Sequence, residues 1–569
     1  MRTARWILWL SAAAPLAVLH AQDDVVMKAM RDEITRSMQQ LQVENLSKPY
    51  FISYRVVDTE GSSVSAAFGA VNNSSVGHSR QLFVEVRVGD HQLDNSHFFT
   101  FNMDPGGSMR YFNGMASLTP EDDYKELRRQ MWLATDAQYK KAIEDLSKKR
   151  AALETRRRED DTPDFSKEEP VTTNDVAAPI RFDRTPWEAE ARVLSALFRH
   201  MPGVQTSSLS FRGENAYIRY LTSEGASFVR RQPSVTFNAS AATQAPDGYQ
   251  LDDFLWFHGH SMQEIPSQEE LSKRLRQLGA ELTALRDAPT LANYNGPVLA
   301  EGEAAAQLFR LVFVPDLLGN PRVMNGMPGM AVNANTTGPD NPFLDKVGAR
   351  VLPAFLSVTD DPTISDYKGQ RLAGSWKVDE DGMRPRSMRL VENGILKSVL
   401  TSRDPVRGFE HTTGSRHAGQ ASPSNVIVTT SSGLGRDELR AKFMDVVKQR
   451  NLSFGIVVRR MRNVNNVLLA YKVFPDGHEE LVRDLQFFGL NAAAFKDIVA
   501  VSQEPNVLTV QYRPQQMPGI PMMMFMSGGE SSIPVTLVVP SLLFEDVTMR
   551  KIRAAAPNPP IATHPFFDK

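Results

Sequence analysis

Apolar positions recur at helical spacing in "VVMKAMRDEITRSMQQL" (residues 25–41), then switch to the alternation of paired strands in "YFISYRVVDTEGSSVSAAFGAV" (50–71) and "QLFVEVRVGD" (81–90). The chain therefore starts as a mixture of helix and antiparallel sheet. Thr119-Pro120-Glu121 predicts the start of a long charged helix running towards "KKRAALETRRR", with Thr119 as cap and Pro120 at the first helical position. Charge on nearly every face predicts a solvated helix or an arm, and "EDDTPDFSKEEPVTTNDVAAP" (159–179) reads as a linker or exposed loop; the charged helix and linker together take up 119–179.

Thr185-Pro186-Trp187-Glu188 has capping-box spacing and predicts a second helix start. "LSFRGENAYIRYLTSEGASFVRRQPSVTFNASA" (209–241) predicts a meander turning at Gly213 and Gly225. Ser267 with Glu270 predicts the cap of the helix that ends near 287, where a domain boundary is expected. Beyond it "RVLPAFLSVTDDP", "MRLVENGILKSVL", "SFGIVVRRM" and "NVLLAYKVFPDGHEELVRDLQFF" read as strands, with Asn393-Gly394 and Asp476-Gly477 as hairpin turns and one helix near "RDELRAKFMDVVKQ". The expected class is α+β: an N-terminal helix and antiparallel-sheet domain over 22–290 and a strand-rich C-terminal domain over 291–569.

Composition narrows the function. Lys and Arg total 64 against 66 Asp and Glu, so no global basic field attracts nucleic acid. "MRTARWILWLSAAAPLAVLHAQDD" reads as a secretory signal peptide, residues 1–21, cut after Ala21; it predicts a periplasmic or secreted protein, and no later segment reads as membrane-spanning. With no cysteine in the chain, disulfides, thiolate nucleophiles, Cys-ligated zinc and lipoprotein anchoring are excluded.

Candidate chemistry centres on "GPVLAEGEAAAQLF" (296–309). On a helix, Glu303, Gln307 and Arg310 share one face, while Ala304, Ala305, Leu308, Leu311 and Val312 cover the other. A metallopeptidase helix would present two imidazoles there to hold zinc, with a Glu taking the proton of the bound water; this stretch has no imidazole. His258 and His260 face one side of a strand, and His411 and His417 flank "TTGSR", but neither pair has an identifiable third ligand. "MPGIPMMMFM" (517–526) and "MNGMPGM" (324–330) read as pliable apolar loops over a partner or peptide groove, although thioethers also hold Cu(I). Asp360-Asp361 and Asp379-Glu380-Asp381 read as turn residues.

The stretch at 296–309, "VTDDPTISDYKGQRLAGSWKVDEDGMRPRSMRLVENGILKSVLTSRD", "HTTGSRH", "YKVFPDGHEELVRDLQFFG" and "SSIPVTLVVPSLLFEDVTM", in that order, resemble the TldD/PmbA (TldE) proteins, once labelled modulators of DNA gyrase and now grouped as peptidases. The resemblance implies a metallopeptidase relative. It places the His-Glu-x-x-x-His motif of the zinc-bearing TldD branch on Gly302-Glu303-Ala304-Ala305-Ala306-Gln307, and that branch's cysteine ligand at Met526. Only Glu303 matches, so the chain resembles the zinc-free PmbA/TldE branch, which works beside a zinc-bearing paralogue. The implied reading is a subunit without cofactor, handling unfolded peptides, paired with a zinc-bearing TldD-like paralogue or with itself. Glu303 is the one catalytic candidate, and Met522, Met523, Met524 and Met526 are the expected lining of a peptide or partner cavity. Two other readings stay open: a peptidase with an unrecognised site, and a non-enzymatic Met-rich metal-binding or structural protein of the envelope.

Overall fold

The computed structural model describes residues 24–43, 45–99, 102–103, 109–110, 114–155, 158, 160–325, 336–337, 341–513 and 533–552. Its first sheet grows from one long hairpin, strands Pro49–Ala67 and Ala70–Val88, closed at Phe68-Gly69, where both residues take positive φ (46° and 77°). A two-residue turn of that kind matches the natural strand twist. The antiparallel run continues through Thr206–Thr222, Ser227–Gln244 and Gln250–Gly259.

Alternation assigns the sheet's two faces. Ile52, Tyr54 and Val56 point to helices α1 (Val25–Gln40) and α2 (Tyr124–Thr155), whose Met27, Met30, Leu127 and Met131 complete that core. Further along the same face, Phe211, Phe237 and Ala239 pack under α3 (Arg184–Ala196) and α4 (Gln268–Asp287). The opposite face carries Arg55 and Arg230 among apolar Ile218, Tyr220 and Phe228, and it meets the second half of the chain through Val378.

The second sheet is built around the 19-residue strand Ile533–Lys551, which pairs with Asn293–Ala300, Ile498–Tyr512, Leu485–Phe487 and Asn425–Thr430. Strand Asn293–Ala300 also runs parallel to Gly455–Asn463, which continues through Asn466–Val473 to Leu485–Phe487, so these strands and Ile533–Lys551 close a ring. Both faces are covered. Val298 and Ala300 enter the main core with helix α5 (Glu303–Leu308), whereas Leu299 enters a second core with α6 (Arg436–Gln449). That explains why "PVLA" is apolar without alternating. The class is α+β, and among the described residues no helix is long and apolar enough to cross a membrane.

Five expectations are corrected. The long charged helix starts at Tyr124, five residues after Thr119, because the Asp123 carboxylate accepts from the Glu126 amide at 2.9 Å. It is not an arm: Leu127, Met131, Ala134, Tyr139, Ala142 and Leu146 form a buried stripe at helical spacing beneath its charges. The expected linker is partly ordered into the fold, since Phe165 is buried and Thr172–Val176 adds a parallel strand beside Ser227–Gln244. The third helix is capped by Asp183 rather than Thr185, and Gly213 lies in mid-strand, where a Cβ would meet the Phe182 ring at 2.0 Å. Gly225 does turn, with φ at +97°.

Candidate functional site

Helix α5 begins on Gly302, whose φ of +57° makes it the natural residue for that bend. A Cβ there would have room, its nearest neighbour being the Arg459 carbonyl oxygen at 3.9 Å, but a side chain would carry left-handed backbone strain. Ala304, Ala305, Ala306 and Leu308 are buried, and the helix widens into a π-helical turn over Phe309–Phe313. Glu303 is exposed at its start. Its charge reaches the Asp253–Arg460–Glu281 cluster, where burial, with Glu281 and Glu303 adding to it against Arg460, raises Asp253 to about 6. Its neighbour Glu301 is taken up by Arg440, with nitrogens at 3.0 and 2.9 Å.

Gln307 is held from the same helix. Its Oε1 accepts from Arg310 Nε at 3.0 Å and from Nη2 at 2.8 Å. Burial lowers Arg310, and Tyr512 lies within its field. Among the described residues no carboxylate pairs with this guanidinium. A zinc ion needs free imidazole, thiolate or carboxylate lone pairs. The amide oxygen here is engaged by a cation that repels a dication, so these residues do not fit zinc. Nor does any group of three or more His, Asp or Glu among the described residues converge as metal ligands.

The turn after Arg310 opens on a cavity of about 400 Å³. Leu311, Val312, Leu318, Leu490 and Tyr512 give it apolar walls, and His97 with Asp404 forms a polar one. His97 Nε2 stands 3.5 Å from Asp404 Oδ1, and Nδ1 is 3.9 Å from Asp164. Burial opposes the charged imidazole, but the neighbouring carboxylates of Asp164 and Asp404 outweigh it and raise its pKa. Asp404 is held in turn by Arg87 and Arg416, both at 2.7 Å. Half-buried Asp316, also in the wall, is pushed up to about 6 by burial. The arrangement suits an apolar side chain with polar groups at one end. Sequence reasoning missed this pair: Asp404 and its partner Arg87 are 317 positions apart, and nothing local marks either.

Residues 297–551 match the PmbA/TldA metallopeptidase C-terminal domain. Over those residues the chain carries the C-terminal domain of the TldD/PmbA family. Its fold is similar to that of a Thermotoga maritima protein described as a modulator of a DNA gyrase (TM-score 0.54, 13% identity, covering 92% of this chain and 100% of that one). It is also similar to TldE from Thermococcus kodakarensis (TM-score 0.51, 12% identity, 92% and 99%). In sequence it resembles a metalloprotease of Methanothermobacter thermautotrophicus, 24% identical over 238 residues, 40% of this chain and 46% of that protein. A metalloprotease of Methanocaldococcus jannaschii is 40% identical over 65 residues, 11% and 13% of the two chains. The alignments thus span less than half the length of these relatives.

In this chain the other candidates fall apart as a group. His258 stacks on Trp256 at 5.7 Å and meets His260 edge-on at 5.4 Å, and burial lowers it to about 4. His411 is exposed beside Glu168, while His417 is buried against Trp376 with ring centroids 4.0 Å apart. The acidic runs are more than turn residues. Asp360 is fully buried and accepts from Ser424 at 2.8 and 2.6 Å. Asp379 accepts from the Asp381 and Met383 amides, as a turn residue does, yet burial beside Asp381 raises its pKa. Glu380 forms a 2.7 Å ion pair with Arg55 of the first sheet. Met522, Met523, Met524 and Met526, and Met327 and Met330 of the other Met-rich stretch, lie outside the described residues.

Proposed function

We propose that this chain is an exported, zinc-free TldD/PmbA-family subunit that pairs with a zinc-bearing TldD-like paralogue and helps shape a channel for unfolded peptides. The observation that carries the reading is the Gln307–Arg310 pair: the helix that bears the metal motif in the zinc branch here holds an amide locked by a guanidinium, on a Gly302 bend ill-suited to an imidazole side chain. The family scaffold around it is retained, and the apolar cavity beside Arg310 gives a peptide side chain somewhere to bind. Exposed Glu303, in this account, is a helix-start carboxylate engaged with the Arg460 cluster rather than a proton acceptor. Export rests on the leader-like first 21 residues, and mature protein starting at Gln22 is the expected mass-spectrometric result. The test of pairing is co-purification of the tagged chain with a relative that carries the His-Glu-x-x-x-His motif, followed by digestion of an unfolded peptide. The pair should cleave and this chain alone should not. Met522→Ser/Met523→Ser/Met524→Ser should weaken pairing or turnover while folding is kept. A chain that stays monomeric beside the relative, and whose removal leaves the relative's cleavage unchanged, would defeat the proposal.

A second reading, a peptidase with its own site, is favoured by one observation, the His97–Asp404 pair in the cavity wall. Cleavage by the chain alone that disappears in His97→Gln would establish it.

A further inference from the structure

The cavity of about 400 Å³ that opens after Arg310 holds one charge without a counter-ion. Besides the Tyr512 phenol, four side chains in its wall can carry charge: His97, Asp404, Arg322 and Asp316. Three are accounted for. Asp404 is held by Arg87 and Arg416, both at 2.7 Å, His97 lies between Asp404 and Asp164, and Arg322 has a partner of its own.

Asp316 is different. Among the described residues it forms no hydrogen bond or ion pair, and the one cation whose field reaches it, Lys346, holds its ammonium over the Phe343 ring at 5.9 Å from the centroid. A half-buried carboxylate in that state is costly, and burial accordingly pushes it up to about 6. Its surroundings are apolar. The chain from Phe309 to Leu317 turns helically, so Pro315 follows Leu311 and Asp316 follows Val312 by about one turn, and all four line the cavity. Leu318 and Leu490 extend the same wall.

A ligand that fits has a flexible apolar stem ending in a cation, which is the chemistry of a lysine or arginine side chain. The volume lies near the lower end of the roughly 300–1,000 Å³ of ligand pockets, so it suits one long side chain rather than a folded segment. We propose that the cavity receives a basic side chain of a bound peptide, with Asp316 as the residue that selects it. The unpaired carboxylate stands on the geometry; the choice of a peptide as the bearer of the cation rests on the peptide-handling reading above.

The experiment is isothermal titration of the full-length chain with three blocked pentapeptides that differ only in a central lysine, norleucine or glutamate. The lysine peptide should bind at least about tenfold more tightly than the norleucine peptide, as a charge-assisted contact does, and the glutamate peptide most weakly. Asp316→Asn should fold at least as stably as the parent, because it removes an unpaired charge, and should bring lysine and norleucine peptides to equal affinity. Val312→Thr should weaken both and keep the preference. Equal binding of the lysine and norleucine peptides to the parent, or an unchanged preference in Asp316→Asn, would overturn the assignment while leaving the peptide-handling reading in place. Failure of all three peptides to bind would overturn both. Pairing with a zinc-bearing relative is read separately, by co-purification.

Discussion

Gly213 shows how little a residue's type says about its task. In sequence it reads as a turn; in the fold it is a strand residue that leaves room for the Phe182 and Trp187 rings, whose nearest atoms would be 2.0 and 2.7 Å from a Cβ. Gly213→Ala should therefore cost about 1–3 kcal/mol by overpacking. Gly225→Ala, in open space but at φ +97°, should cost roughly 1–2 kcal/mol from backbone strain. Urea unfolding of both variants checks the contrast. His417 makes a second prediction at this scale. In the unfolded chain it takes up a proton near its ordinary pKa of about 6.5, but burial holds it neutral in the fold down to about 3. The unfolded state therefore binds more protons between those values, and this residue's contribution to stability falls as the pH drops from about 6.5 towards 3. His417→Asn should flatten the stability profile over that window relative to the parent. An unchanged slope would show that the imidazole is not the group responsible.

Among the elements, the helix Tyr124–Thr155 separates what was legible from what was not. Its existence and length could be read from "DDYKELRRQMWLATDAQYKKAIEDLSKK", but its start and its burial could not. Thr119-Pro120 is a sound start signal in isolation, and it lost to Asp123 because the chain first has to leave the sheet through Met115–Leu118. The buried stripe was hidden because Lys, Arg and Glu fill the intervening positions, and Tyr139 and Thr135 join it through hydrogen bonds to Ser47 and Tyr54. Met131→Ala should cost about 2–5 kcal/mol as a buried truncation, while the neighbouring Trp132→Ser, on a 42%-exposed side chain, should change stability by about 0.5 kcal/mol or less. Equal effects at the two positions would return the helix to a solvated arm. In α5 the spacing of Gln307 and Arg310 could be read directly, and their hydrogen bonds follow from it. The cavity beyond them could not, since its walls come from segments far apart in the chain.

At the scale of the whole molecule, the two halves are joined by charge. Arg87 reaches Asp404, Arg55 reaches Glu380, Arg403 reaches Glu224 and Arg460 reaches Asp253, with separations of 2.5–2.8 Å. A net charge of -2 conceals all of this, because pairs cancel in the sum. The α+β class and the family blocks were legible because alternation and turn signals are local; the junction was not, because each pair joins residues distant in sequence. Asp404→Ala should cost about 3–5 kcal/mol, since it leaves Arg87 and Arg416 buried with one fewer counter-charge; chemical denaturation with probes in each half would show whether the halves then part before they unfold. The central claim, a TldD/PmbA-family subunit that has given up zinc, is tested most directly by the zinc content of the purified chain, measured by mass spectrometry after dialysis against zinc. The parent should hold far less than one equivalent, and Gly302→His/Gln307→His/Met526→Cys should hold more. One tightly held zinc ion per parent chain would contradict the account.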